Sequence, residues 1–169
     1  PPSQAASRAE SWFTLISTLN QGKPLKIAII EDQNEIRSGL RVLIDGTSPY
    51  RCSGAFTTME EALRQFERET PDVAMIDIGL PGMSGIEGTR ILKQRHPAVQ
   101  VIILTVYDDD DRIFQALCAG AFGYLLKSTP PARLLECVRE VAEGGAAVSP
   151  EIARRVIRVF QKIRRPEPM

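Results

Sequence analysis

VAMIDIGLPGMSGIEGTRIL, residues 73–92, decides the fold. Its first four residues, Val73 to Ile76, are all apolar and too few for a helix. Such a run fits a parallel strand buried on both faces. Asp77 follows at once, a residue that a buried core would reject. Gly82 and Gly85 then supply the backbone freedom for a sharp loop and its entry into a helix.

The same pattern recurs on either side. Ile27 to Ile30, Val101 to Leu104 and Tyr124 to Leu126 are short and almost wholly apolar. Tyr50 to Phe56 interleaves Arg51, Ser53 and Gly54 with apolar residues and reads as a fifth strand nearer an edge. Helical stripes lie between them: Ile36, Leu40, Leu43 and Ile44; Met59, Leu63 and Phe66; Leu134, Val138, Val141 and Ala142. Asp109 to Ala119 is a weaker helix, ended by Gly120, whose acidic start, Asp108 to Asp111, complements the positive end of the helix dipole. Strand and helix alternating from Lys26 to Glu143 require crossover connections, which place helices on both faces of a parallel sheet. The expectation is an α/β, doubly wound, five-stranded sheet in the order 2-1-3-4-5, similar to flavodoxin-like folds. That order opens a crevice at the carboxyl ends of strands one and three.

Bulk properties narrow the field. The 169 residues suit one domain with flanking segments. Lysine plus arginine equal aspartate plus glutamate at 21 each, so the total charge does not mark a polycation for nucleic acid or membrane. Cys52, Cys118 and Cys137 are widely spaced and read as small core residues in a reducing compartment. His96, before Pro97, reads as a helix cap. No stretch is long and apolar enough to span a bilayer, and the expected location is the cytoplasm.

The chemistry lies at the strand ends. Glu31 and Asp32 follow strand one, Asp77 strand three, Thr105 strand four and Lys127 strand five. One such residue would be an ordinary cap; five of these types at one sheet edge form a constellation. Converging carboxylates repel, and the repulsion is relieved by protonation or by a cation. Magnesium, or manganese, suits one or two carboxylates plus water and a phosphate oxygen. Asp32 and Asp77 would be direct ligands, with Glu31 direct or through water. With its charge offset, Asp77 can attack phosphorus and form an acyl phosphate. Lys127 and the Thr105 hydroxyl would each bind a phosphoryl oxygen.

IAIIED, VAMIDIGLPGMSGIEGTRIL, VIILTVYDDDD and AGAFGYLLKS together resemble the receiver domains of bacterial two-component response regulators. The resemblance covers about Leu25 to Glu143. It implies phosphorylation of Asp77 by a sensor histidine kinase, a metal ligand from the Gly79 backbone carbonyl, and a switch in which Thr105 moves toward the phosphoryl group while Tyr124 turns inward. It also implies a phospho-acceptor that assists its own phosphorylation and dephosphorylation. Gly79 lacks a side chain to orient water and Tyr107 can shield the phosphoryl group, so loss of phosphate is expected to be slow. Ser128 replaces the proline that many receivers carry after the lysine, which leaves the Lys127–Ser128 isomer open. Haloacid-dehalogenase-like phosphatases also use an aspartate nucleophile, but their second acid is absent where Gly79 stands.

Three regions are expected: an extension over 1–24, a receiver over 25–145 and a linker helix over 146–169. In the extension, Ser7 to Glu10 reads as a capping box before Trp12, Phe13, Leu15, Ile16 and Leu19. That helix either docks and dimerises or folds back on its own domain. Ser149 and Pro150 start the last helix, with Ile152, Val156, Val159, Phe160 and Ile163 on one side. Arg154, Arg155, Arg158, Lys162, Arg164 and Arg165 read as its solvated basic side. The segment AEGGAAVSPEIARRV resembles the linker before a LuxR-type DNA-binding domain, so DNA contact is expected only through a domain outside this chain, with self-association as a homodimer and no membrane contact.

Overall fold

A computed structural model describes residues 23–164; the helix expected around Ser7 to Leu19 lies outside them, as does Arg165. The elements are β1 (Leu25–Ile30), α1 (Asn34–Asp45), β2 (Tyr50–Phe56), α2 (Met59–Phe66), β3 (Val73–Ile76), α3 (Gly85–Arg95), β4 (Gln100–Thr105), α4 (Asp110–Ala119), β5 (Gly123–Leu126), α5 (Pro131–Ala142), β6 (Ala147–Val148) and α6 (Pro150–Ile163).

All strand pairs are parallel, and the sheet order is β2-β1-β3-β4-β5-β6. The five expected strands stand in the expected order, but the sheet has six. The sixth, Ala147–Val148, pairs with Gly123 and Tyr124 of β5. Two residues are too short to show a strand pattern in sequence.

Alternation along the strands divides the core in two. Ile27, Ile29, Val73, Met75, Ile102 and Leu104 pack with Ile44 of α1 and with Leu134, Cys137, Val138 and Val141 of α5. Ala28, Ile30, Ala74, Ile76, Val101 and Ile103 pack with residues of α2, α3 and α4 on the other face. Polar side chains start four helices by accepting main-chain N–H groups: Thr58, Ser84, Asp109 and Ser149. Cys52 and Cys137 are buried, whereas Cys118 is exposed and is not a core residue. His96 occupies the end of α3, but the neighbouring carbonyls of Pro97 and Val99 are taken by the Lys93 ammonium, both at 2.8 Å.

The last helix is part of the domain surface. Ile152 is fully buried in the α2–α4 core, with Val148 and Val156 packed beside it. Arg155 does not point into solvent alone: its guanidinium lies 3.6 Å from Asp108 and 3.4 Å from Asp110 at the start of α4. The apolar stripe continues past the domain edge, leaving Ile157, Phe160 and Ile163 exposed.

Truncating Ile152 to alanine should remove about 2–5 kcal/mol from the docking of α6. The expected readout is faster deuterium uptake across 150–164 with β1 to β5 unchanged; unaltered uptake would show that Ile152 does not anchor the helix.

Candidate functional site

Parallel pairing brings the strand ends to one level. The ladder runs past the last strand residues: Asp77 donates its N–H to Ile30 (3.1 Å), Glu31 to Phe56 (2.9 Å) and Lys127 to Thr105 (2.9 Å). Glu31, Asp77 and Thr105 are therefore buried although they stand at the sheet edge, and Asp32 lies exposed at the mouth. Carboxylate oxygens of Glu31, Asp32 and Asp77 come within 4.8 Å of one another. The Lys127 ammonium sits 2.8 Å from Glu31 Oε2 and 2.9 Å from Asp77 Oδ2. Among the described residues only Ser48–Pro49 is cis, so the Lys127–Ser128 bond is trans and the lysine reaches the acids without a following proline.

Charge in this pocket is incompletely matched. Burial raises the Glu31 carboxyl above its ordinary value, against the opposing hydrogen bonds from Lys127 and Gln33. Burial alone would lower Lys127, but its bonds to Glu31 and Asp77 outweigh that and raise it. Lys127 thus remains a cation shared by two acids. Asp77 Oδ1 is buried and has no hydrogen-bond partner. An orphaned carboxylate oxygen of this kind calls for an unrecorded partner. Three hard oxygen donors, one of them unsatisfied, fit a small divalent cation of the magnesium type.

A second layer links the pocket to β5. The fully buried Thr105 accepts at its hydroxyl from the Tyr107 N–H at 3.5 Å, at the limit of a hydrogen bond. The Tyr124 hydroxyl donates to the Tyr107 carbonyl at 2.6 Å, and Tyr124 is wholly buried. Burial holds the Tyr124 phenol far above its ordinary value, so it stays a donor. Gly79 leaves room for Tyr107: a Cβ there would lie 3.2 Å from the ring and 3.3 Å from its hydroxyl.

Three positioning residues escape sequence reading. Arg37 of α1 donates to the carbonyls of Glu31 (2.9 Å) and Asp32 (3.3 Å), fixing the acid pair. Glu60 of α2 accepts from the Met83 N–H at 2.7 Å and ties down the loop after Asp77. Arg112 of α4 stacks on Tyr107. Arg37 could have been suspected from its place in the first turn of α1, five residues past Asp32; the others carry no local signal.

With this geometry in view, comparison with known proteins is direct. The response regulator receiver domain family matches residues 27–139. The transcriptional regulatory protein DegU of Brevibacillus brevis is 33% identical over 145 residues, covering 86% of this chain and 61% of DegU. The transcriptional activator protein ExaE of Pseudomonas putida is 38% identical over 133 residues, covering 77% of this chain and 61% of ExaE. A crystal structure of a LuxR-family two-component response regulator from an Aurantimonas species superposes with a TM-score of 0.77 at 32% identity, covering 82% of this chain and 99% of that one. This chain belongs to the response regulator receiver domain family, among relatives that include transcriptional regulators. It spans about three fifths of the length of those two curated relatives.

Replacing Lys127 by glutamine leaves two buried carboxylates without their cation and should cost about 3–5 kcal/mol near neutral pH. The raised Glu31 carboxyl sets the pH dependence. Its folded form holds a proton that the unfolded chain has released, so stability falls as pH rises from about 4.5 through the folded value. Without Lys127 that fall is steeper. Urea midpoints in EDTA should therefore diverge between variant and parent as pH rises from 5 to 7; a constant gap would contradict the account.

Proposed function

We propose that Asp77 accepts a phosphoryl group from the phosphohistidine of a sensor histidine kinase and that the added charge switches the domain. The observation that carries this reading is the buried, unpartnered Asp77 Oδ1 beside Glu31, Asp32 and Lys127. That oxygen attacks phosphorus, the phosphorus–nitrogen bond breaks, and the departing imidazole keeps the electron pair. No base is required, because the carboxylate is the nucleophile in its ionised form. Lys127 stays close as a point charge for a phosphoryl oxygen, and the Thr105 hydroxyl donates to another. Asp32 and Asp77, the Gly79 carbonyl, and Glu31 directly or through water, would hold magnesium or manganese. When bound, that ion offsets the negative charge of the carboxylates and phosphoryl oxygens.

Transfer adds about 1.5–2 negative charges. Thr105 moves toward them, and Tyr107 follows because its N–H is bonded to Thr105. Tyr124 follows because its hydroxyl is bonded to the Tyr107 carbonyl. The same loop holds α6 through Asp108, Asp110 and Arg155. This arrangement supports an output through the linker helix, with residues 25–145 as the receiver, 146–169 as the linker and 1–24 as an extension. The output is regulation of transcription in the cytoplasm, with DNA contacted through a region outside this chain. The domain also assists hydrolysis of its own acyl phosphate, slowly, because Gly79 offers no group to orient water and Tyr107 shields the site.

The test is intact-mass measurement after incubation with magnesium and acetyl phosphate. One phosphoryl group should appear on the parent and none on Asp77→Asn; an unmodified parent with both this donor and a phosphorylated kinase would refute the assignment. Self-association is tested separately. Beryllofluoride should raise the sedimentation coefficient toward that of a homodimer, and an unchanged boundary would remove dimerisation from the scheme.

A further inference from the structure

We propose that Arg112 is a positioning residue for the acceptor site, holding the Tyr107 ring across Gly79 and thereby setting how long a phosphoryl group survives on Asp77. The inference rests on the phosphorylation of Asp77 proposed above.

Tyr107 is held at four points. Its N–H and carbonyl are bonded to Thr105 and Tyr124, which fixes the main chain. Neither contact fixes the ring. On one side the ring lies against Gly79, in the space a Cβ would fill. On the other, the Arg112 guanidinium carbon stands 4.2 Å from the ring centroid. Arg112 is itself tethered: Nη1 lies 2.8 Å from Asp109 Oδ1, while Asp109 Oδ2 accepts the Arg112 N–H at 3.2 Å. Asp109 thus caps α4 and aims the arginine with the same carboxylate. Ring and guanidinium wall a cleft of about 410 Å³ that Gly79, Arg90 and Gln115 also line.

On this proposal solvent reaches the phosphoryl group from the α3–α4 side, through this cleft, whose wall begins at Ile78 and Gly79 directly after Asp77. In hydrolysis, a water oxygen bonds to phosphorus and the bond to the Asp77 oxygen breaks. Its electron pair returns to the carboxylate, and the water's protons leave on inorganic phosphate or to solvent. A ring held over Gly79 keeps that water away. Freed of Arg112, the ring keeps one packed side and gains rotamers that open the cleft. Loss of an exposed cation–π contact corresponds to an approximately two- to five-fold change in how often the ring is displaced.

The experiment charges the parent domain with acetyl phosphate and magnesium, removes the donor, and follows the phosphorylated mass with time. Arg112→Ala should shorten the lifetime about two- to five-fold, within the range set by the cation–π contact. Arg112→Lys, which keeps a cation over the ring, should restore most of it. Tyr107→Ala should shorten the lifetime at least as much as Arg112→Ala, and the double variant should match Tyr107→Ala. Asp109→Asn, which keeps the helix cap and removes the tethering charge, provides a second probe and should fall between parent and Arg112→Ala. A parent lifetime in both Arg112→Ala and Asp109→Asn, or an equal acceleration by Arg112→Ala when Tyr107 is absent, would overturn the clamp while leaving phosphorylation intact. A parent that never gains a phosphoryl group would overturn both.

Discussion

One ammonium between two buried carboxylates governs the rest of this domain. Lys127 stands within 2.9 Å of both Glu31 and Asp77, and each of those acids is almost wholly removed from water. Burying a carboxylate is tolerated only with a partner, and two acids with one cation leave a net negative charge. The deficit falls on Asp77 Oδ1, which no protein group satisfies. A core built for stability alone would not leave this oxygen unpaired. The sheet makes it unavoidable, because parallel register carries the ends of β1, β3 and β5 to one level.

What surrounds that deficit is built to respond to it. Thr105, Tyr107 and Tyr124 form a short chain of contacts, and its weakest member is the 3.5 Å contact between the Thr105 hydroxyl and Tyr107 N–H. Thr105 accepts in this contact, so its hydroxyl proton can be donated to another oxygen while the contact to Tyr107 is kept. The bond from Tyr124 to the Tyr107 carbonyl is short at 2.6 Å, so Tyr124 and the Tyr107 main chain move together. Tyr124 also pairs through β5 with Val148 of β6, immediately before α6. Main-chain pairing and the Arg155 contacts thus give two structural connections between the Asp77 pocket and the C-terminal helix.

Much of this is legible in the sequence, and for a physical reason. Glu31, Asp77, Thr105 and Lys127 each interrupt an apolar run where a buried strand ends, and a polar residue there must answer to something. Alternation with helices makes the sheet parallel, and the likeness to flavodoxin-like folds supplies the order of the first five strands. What is not legible depends on contact between distant residues. β6 is defined by its partner rather than by its own two residues. Arg155 looks solvated until α6 is seen to fold back upon Asp108 and Asp110. Glu60 looks like an ordinary acid of a first helical turn, yet its carboxylate holds Met83, 23 positions away.

The two loops flanking Asp77 differ in how tightly they are held, and on the proposed function that difference gives the signal its direction. After β3 the chain has no slack. A Cβ on Gly85 would stand 2.0 Å from the Asp77 carbonyl, and one on Gly88 2.5 Å from Met59, so α3 is already as near the strand and α2 as backbone allows. Gly82 turns with φ of 75° beneath Glu60, which also pins Met83. Dense packing of this kind resists small displacements. After β4 the loop is held by one long hydrogen bond, a stacked arginine and ion pairs open to solvent, and its one short bond, from Tyr124, ties it to β5 rather than to the β3–α3 wall. On the proposed function a phosphoryl group on Asp77 draws on both walls, and the weakly held one moves toward it. Under that proposal displacement runs through Thr105 and Tyr107 toward β5 and α6, while the β3–α3 loop keeps Asp77 in place.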